Sequence, residues 1–263
     1  VVERSSGPVV RRRAHRHLAA WALGHCSLRA LLLLLDREAL FARRWQMLSR
    51  NPTGVERANA EGMLRRLWRT TRGLWQPETV AEVFSARVTK AGLSITATGR
   101  RAVLGVSDSF RQRLNRRYGG QEFAVGVQVV TVGSRIVKHC RRLAQAGNIH
   151  EQFLVHGLAA ELTEALAKQS QSRVMRRARW KAAQRYSPGY PVLPELADQR
   201  AIFRLLKPER IGVKLTRSFQ MVPEYSTSAI LVEKQDGASR PARQALCVMR
   251  RESITSARPT RPR

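Results

Sequence analysis

Acidic residues are scarce in this chain. Its 263 residues carry 19 Asp and Glu against 48 Lys and Arg, a formal net charge of +29 and an isoelectric point near 11.7. Lysine is scarce too, since only seven of those 48 cations are lysines. A surface built for nucleic acid justifies such a charge, because each neutralised phosphate releases counterions. The arginines are nevertheless scattered along the chain and not gathered on one stripe. Cysteine is limited to Cys26, Cys140 and Cys247, far apart and odd in number, which argues against a disulfide framework and against a CxxC zinc site. His15, His17 and His25 sit in an arginine-rich stretch without metal-ligand spacing, and the other histidines are single. Walker loops, a GxGxxG after a strand and a GxSxG elbow are all missing. So is a long apolar run: Leu18 to Leu35 is interrupted by His25 and Arg29 and makes a poor membrane span.

The chain does have an ordinary apolar content of 43%, enough for one large or two small domains with a proper core. Residues 1–31 read as a basic arm, with Arg4, Arg11, Arg12, Arg13, Arg16 and Arg29 facing the single acid Glu3. Such an arginine-rich, acid-poor start also resembles an organellar transit segment. From Leu31 to about Ser49, Leu35, Leu40, Phe41, Trp45 and Leu48 predict a helix that Asn51-Pro52 stops. Thr53 to Glu56 has capping-box spacing and opens a second helix to about Arg72, with Met63, Leu64, Leu67 and Trp68 inward. Val80 to Ala97 reads as two short strands around a turn near Lys90-Ala91-Gly92, and residues 99–120 are polar and poorly patterned. Phe123, Val125, Val127 and Val129 alternate as a half-buried strand. Helices follow over Gly133 to Ala146 and, longest of all, over Ile149 to Arg179. On the long one Phe153, Leu154, Leu158, Leu162 and Leu166 form the buried side, while Gly157, Glu161, Glu164 and Lys168 form a solvated polar strip with an i,i+4 pair.

Arg185 to Pro191 cannot be a helix interior or a central strand. It holds Pro188, Pro191, Gly189, Tyr186 and Tyr190, so it is a stiff, low-entropy turn carrying a guanidinium and two aromatic rings. It suits a ligand with a carboxylate at one end and a flat ring at the other. A short helix over Asp198 to Leu206, brief extended pieces at Ile211–Leu215 and Phe219–Val222, and a strand at Ser226–Val232 complete the ordered part. Residues 233–263, rich in Arg, Pro and Ser, read as a disordered tail. Helices interspersed with antiparallel strands make this an α+β protein and not a doubly wound sheet.

Several stretches, in order, resemble the C-terminal activation domain of cobalamin-dependent methionine synthase. They are Val130 to Ser134, Val155 to Leu158, Glu161 to Leu166, Arg185 to Pro191, Arg210 to Thr216 and Phe219 to Ser228, with Leu35 to Phe41 and Trp45 extending the likeness towards the N-terminus. The resemblance covers residues 32–232 and implies an activation-domain-like fold, an antiparallel sheet with flanking helices, one of them long. It further implies a module of a methyltransferase that binds S-adenosylmethionine and presents it for reductive remethylation of cob(II)alamin. The cobalamin would be held by a neighbouring domain or subunit, the electron would come from a flavodoxin-type donor, and the setting would be cytoplasmic. Carried over by motif, the ligand residues are Arg185, Ser187, Gly189 and Tyr190 of the loop, Glu164 on the long helix and Asp36 in the first. The chemistry of these types agrees: arginine grips a carboxylate, and acids balance an ammonium and a sulfonium. No side chain is expected to act as general acid or base, and no metal ligand is expected in this chain. One departure is clear, since Glu233-Lys234-Gln235-Asp236-Gly237 stands where the family has a strand bearing a Tyr-aromatic pair. Composition leaves one alternative, a basic nucleic-acid-binding protein on a divergent scaffold of this fold.

Overall fold

A computed structural model describes residues 23–97 and 100–234; the readings made for residues 1–22 and 235–263 lie outside the described residues. The described residues open with strand β1 (Leu23–His25) and helix α1 (Leu28–Leu33), both starting ahead of residue 32. A wide π-type turn at Ala39–Arg44 then leads to helix α2 (Gly54–Thr71). Strands β2 (Glu78–Thr89), β3 (Gly92–Ala97) and β4 (Arg100–Leu104) form a meander. Helix α3 (Asp108–Tyr118) and strand β5 (Phe123–Thr131) follow, then helices α4 (Ser134–Gln145) and α5 (Ile149–Ala178). Strand β6 (Ala183–Tyr186), helix α6 (Gln199–Leu206), the two-residue strands β7 (Lys214–Leu215) and β8 (Met221–Val222), and strand β9 (Ser226–Glu233) complete the described residues.

The main sheet is antiparallel and seven-stranded, in the order β4-β3-β2-β5-β9-β6, with β1 pairing the start of β2. Both faces are covered. On one, α3 and α6 pack on Val80, Phe84, Val125, Val127 and Ile230; on the other, α5 crosses the sheet with α1, α2 and α4 around it. Thirty residues make α5 about 45 Å long. Leu154, Leu158, Leu162 and Leu166 are sunk beneath it. Every residue of β5 is buried, so the half-buried strand read from its alternation is corrected. The reason is at Gly126, where an added Cβ would lie 2.5 Å from Val174 of α5 and 3.1 Å from Leu231. Ala124 and Gly126 on that face are small enough to let a second layer close over the strand.

The capping box before α2 is complete: the Thr53 hydroxyl accepts from the Glu56 amide, and the Glu56 carboxylate accepts from the Thr53 amide at 2.6 Å. Three other expectations need correction. The helix read over Leu31 to Ser49 is broken into α1 and the π-type turn, because Asp36 folds back to accept from the Ala39 amide at 3.0 Å and starts a new turn. Residues 99–120 are not patternless, for they hold β4 and α3; α3 is anchored by only Phe110 and Leu114, one turn apart among arginines. Phe153 is 42% exposed and does not join the buried side of α5.

Candidate functional site

The polar strip of α5 is solvated only at its Lys168 end. Gly157 is buried, and a Cβ there would meet the Trp45 ring at 3.0 Å, so the missing side chain is what seats the indole on the helix. Trp45 locks the contact by donating its ring N–H to the Leu154 carbonyl at 2.9 Å. Glu161, buried, accepts from Arg44 at 2.8 Å. One turn on, Glu164 pairs with Arg185 of β6, and Lys168 stands 3.6 Å from Asp36. The i,i+4 pair read between Glu164 and Lys168 is therefore replaced by two pairs, each to a different element.

Glu164 and Arg185 stand at one side of a cavity of about 540 Å³, within the usual size range of small-molecule sites. Its position follows from a mismatch of strand lengths. β6 pairs with β9 only from Ile230 to Glu233, whereas β5 pairs with β9 as far down as Ser226. The flank of β9 at Thr227 and Ser228 is thus left without a neighbouring strand among the described residues, and it lines the cavity. Above it the chain leaves β6 and turns through Ser187, Pro188, Tyr190 and Pro191, which also line the space. Gly189 adopts φ 85°, a conformation glycine takes without strain, and its amide donates to the Leu193 carbonyl at 2.8 Å. Leu193 returns the bond to Tyr190 and is fully buried, so the turn is stapled to the core. Tyr190 itself is 67% exposed at the mouth.

The opposite wall is Gln199, the first residue of α6, 4% exposed, whose side-chain oxygen accepts from the Ser228 hydroxyl at 2.7 Å. Just before it, Asp198 accepts from the Gly105 amide at 2.6 Å and pins the start of α6 to the end of β4. Burial pushes the Asp198 carboxyl above its ordinary range, against that amide. On the guanidinium of Arg185, Nη2 donates to Glu164 while Nη1 is buried without a hydrogen-bond partner. A buried unpaired donor on a charged group is costly.

Of the six residues read from the sequence, Glu164, Arg185, Ser187 and Tyr190 line the cavity, and Gly189 shapes the turn that roofs it. Asp36 does not line it. Its carboxylate, held below the ordinary range by the Ala39 amide and then by Lys168, lies against the next turn of α5. Sequence reasoning missed Gln199, Met221, Thr227 and Ser228. No local signal marks them, because what brings them together is the length of β6. Among the described residues no group of three His, Cys, Asp or Glu side chains could hold a metal, and no helix is long and apolar enough to cross a membrane.

A cation and an anion in contact, a free strand flank and a phenol at the mouth equip this cavity to bind a dipolar molecule. It holds no paired acid and base to transfer a proton. A family model described as the activation domain of vitamin B12 dependent methionine synthase matches residues 54–239. The chain is 26% identical over 245 residues to methionine synthase of Mycobacterium tuberculosis (strain ATCC 25618 / H37Rv), covering 76% of this chain and 21% of that protein. It is 27% identical over 150 residues to methionine synthase of Mycobacterium leprae (strain TN), covering 49% of this chain and 12% of that protein. The chain thus spans about a fifth or less of the length of these relatives. Its fold is similar to that in a crystal structure of the MetH reactivation domain bound to AdoHcy, with a TM-score of 0.65 at 19% identity, over 88% of this chain and 85% of that one.

Proposed function

The chain belongs to the family of vitamin B12-dependent methionine synthase activation domains, and from that membership we propose that its cavity binds S-adenosylmethionine and presents it to a corrinoid held by a neighbouring domain or subunit. The single observation that carries the reading is the contact between Arg185 and Glu164 at the wall of the cavity, a cation and an anion held side by side where a dipolar ligand would sit. Arg185 takes the carboxylate of the amino-acid end. Glu164, already in contact with Arg185, takes the ammonium or a ribose hydroxyl and offsets the sulfonium charge. The flank of β9 at Thr227 and Ser228, with Gln199, offers hydrogen bonds to the nucleoside, and the turn at Ser187 to Tyr190 closes over it.

The ligand supplies the methyl group when bound. The chain contributes position and electrostatics, holding one end of the donor by its charges. Asp36 acts at one remove: by pairing with Lys168 it keeps that ammonium from the Glu164 carboxylate one turn away. On this reading the protein is a module of a cobalamin-dependent methyltransferase, served by a flavodoxin-type electron donor in the cytoplasm. Titration calorimetry with S-adenosylmethionine, on wild type and Arg185→Ala, tests the binding step. Heat from a single site in the wild type that weakens about 10- to 100-fold in the variant is the expected outcome, and a wild type that gives none overturns the proposal.

A further inference from the structure

A second concavity lies on the other side of α6. It is a groove of about 1170 Å³ between β4, α6 and β7, lined by Arg101, Arg200, Arg204, Lys207 and Lys214 with Glu209 as its one carboxylate. All five cations are exposed, and they come from three separate segments that the fold brings together. Arg101, Arg200, Lys207 and Lys214 form no ion pair with a carboxylate among the described residues.

Several are held in place by contacts that leave the charge intact. Arg101 donates its Nε to the Ser94 hydroxyl at 2.7 Å, and the Arg200 guanidinium stacks 4.7 Å above the Phe219 ring. Lys207 closes the C-terminus of α6 at φ 50°, its amide bonded to the Phe203 carbonyl at 2.8 Å. The floor is apolar, built from Ala102, Phe203, Leu205 and Leu215. A low-dielectric floor beneath like charges in a concave wall focuses their field outward.

We propose that this groove is a second binding site and takes a chain of linked phosphates. Linked phosphates place several negative charges within a few ångströms of one another, as a cluster of five cations needs. Guanidinium groups match phosphate oxygens bidentately. An acidic protein face, by contrast, is flat and carries its carboxylates on separate side chains, so it fills a groove poorly. The phosphates could belong to a free oligophosphate or to a nucleic-acid backbone, which present the same chemistry.

The probe is inorganic tripolyphosphate, titrated calorimetrically into the full chain at physiological salt. One saturable site is expected, weakened about tenfold or more in the Arg101→Gln/Lys214→Gln pair and less than about twofold in Arg65→Gln/Arg69→Gln, which removes the same charge from α2. Thermal melting and the S-adenosylmethionine titration should be unchanged in the groove pair, so this test stands or falls apart from the first cavity. Equal weakening in both pairs means diffuse charge and overturns the proposal, as does a wild type that never saturates or stronger binding of poly-glutamate. Within the supporting outcome, displacement by a short oligothymidylate at equal phosphate assigns the site to a nucleic-acid backbone, and failure to displace assigns it to free oligophosphate.

Discussion

Two concavities flank α6, and they treat charge in opposite ways. On the Gln199 side, the guanidinium of Arg185 is matched by the carboxylate of Glu164 at contact distance. On the Arg200 side, five cations share one carboxylate. Neighbouring residues of one short helix therefore face a balanced site and an unbalanced one. A protein of net charge +29 would repel a cationic ligand from most of its surface, and local pairing is what makes one exception possible. The balanced cavity suits a molecule bearing both signs, the groove one bearing many charges of a single sign.

The largest expected effect breaks the balance from its positive side. Arg185→Ala removes a charge-assisted contact and leaves Glu164 unopposed, so affinity for S-adenosylmethionine should fall by about 10- to 100-fold, equivalent to about 1.5–3 kcal/mol. Calorimetry reads the loss directly. Breaking it from the negative side sharpens the comparison further. Glu164→Gln should weaken S-adenosylmethionine about tenfold and S-adenosylhomocysteine, which lacks the sulfonium charge, distinctly less. Equal weakening of both ligands in competition binding would show that Glu164 does not answer to charge.

How much of this was legible in the sequence depends on what kind of information each part needs. The turn from Ser187 to Pro191 is legible because Pro188, Gly189 and Pro191 dictate backbone geometry locally. The long helix is legible because its leucines repeat at helical spacing over many turns. Helix α3 is hidden because two buried residues among Arg111, Arg113, Arg116 and Arg117 carry too little periodicity. The polar strip of α5 misleads for a different reason: Glu161 and Glu164 look solvated until Arg44 and Arg185 arrive from distant segments, while Lys168 stays exposed beside Asp36. Gln199 and the β9 flank are invisible to any local reading, since only strand pairing decides that β6 stops short of Ser228.

A smaller effect tests the indirect role of Asp36. Asp36→Asn frees Lys168 to approach Glu164, and S-adenosylmethionine affinity should drop about threefold, as expected for an exposed ion pair. Restoration in the double variant Asp36→Asn/Lys168→Gln would confirm the route, and absence of restoration would refute it. The smallest effect concerns the helix that divides the two sites. Asp198 has a folded-state carboxyl pushed above its ordinary value by burial, so the native state holds its proton more tightly than the unfolded chain does. Its contribution is then fullest at low pH and declines as pH rises from about 3.8 through the raised value. Urea midpoints of wild type minus Asp198→Asn should decrease over that interval, and a rise would reverse the assignment.

The short reach of β6 has a consequence for the protein without its ligand. A strand flank that lacks a neighbour offers its amides and carbonyls to any extended peptide, and proteins guard such places against self-association. Here the guard is partial: Pro188 and Pro191 stand beside the gap and cannot donate to a growing ladder. Filling the gap with a small molecule would finish the job, so the loaded protein should stay monodisperse on storage at concentrations where the empty one gathers into larger species.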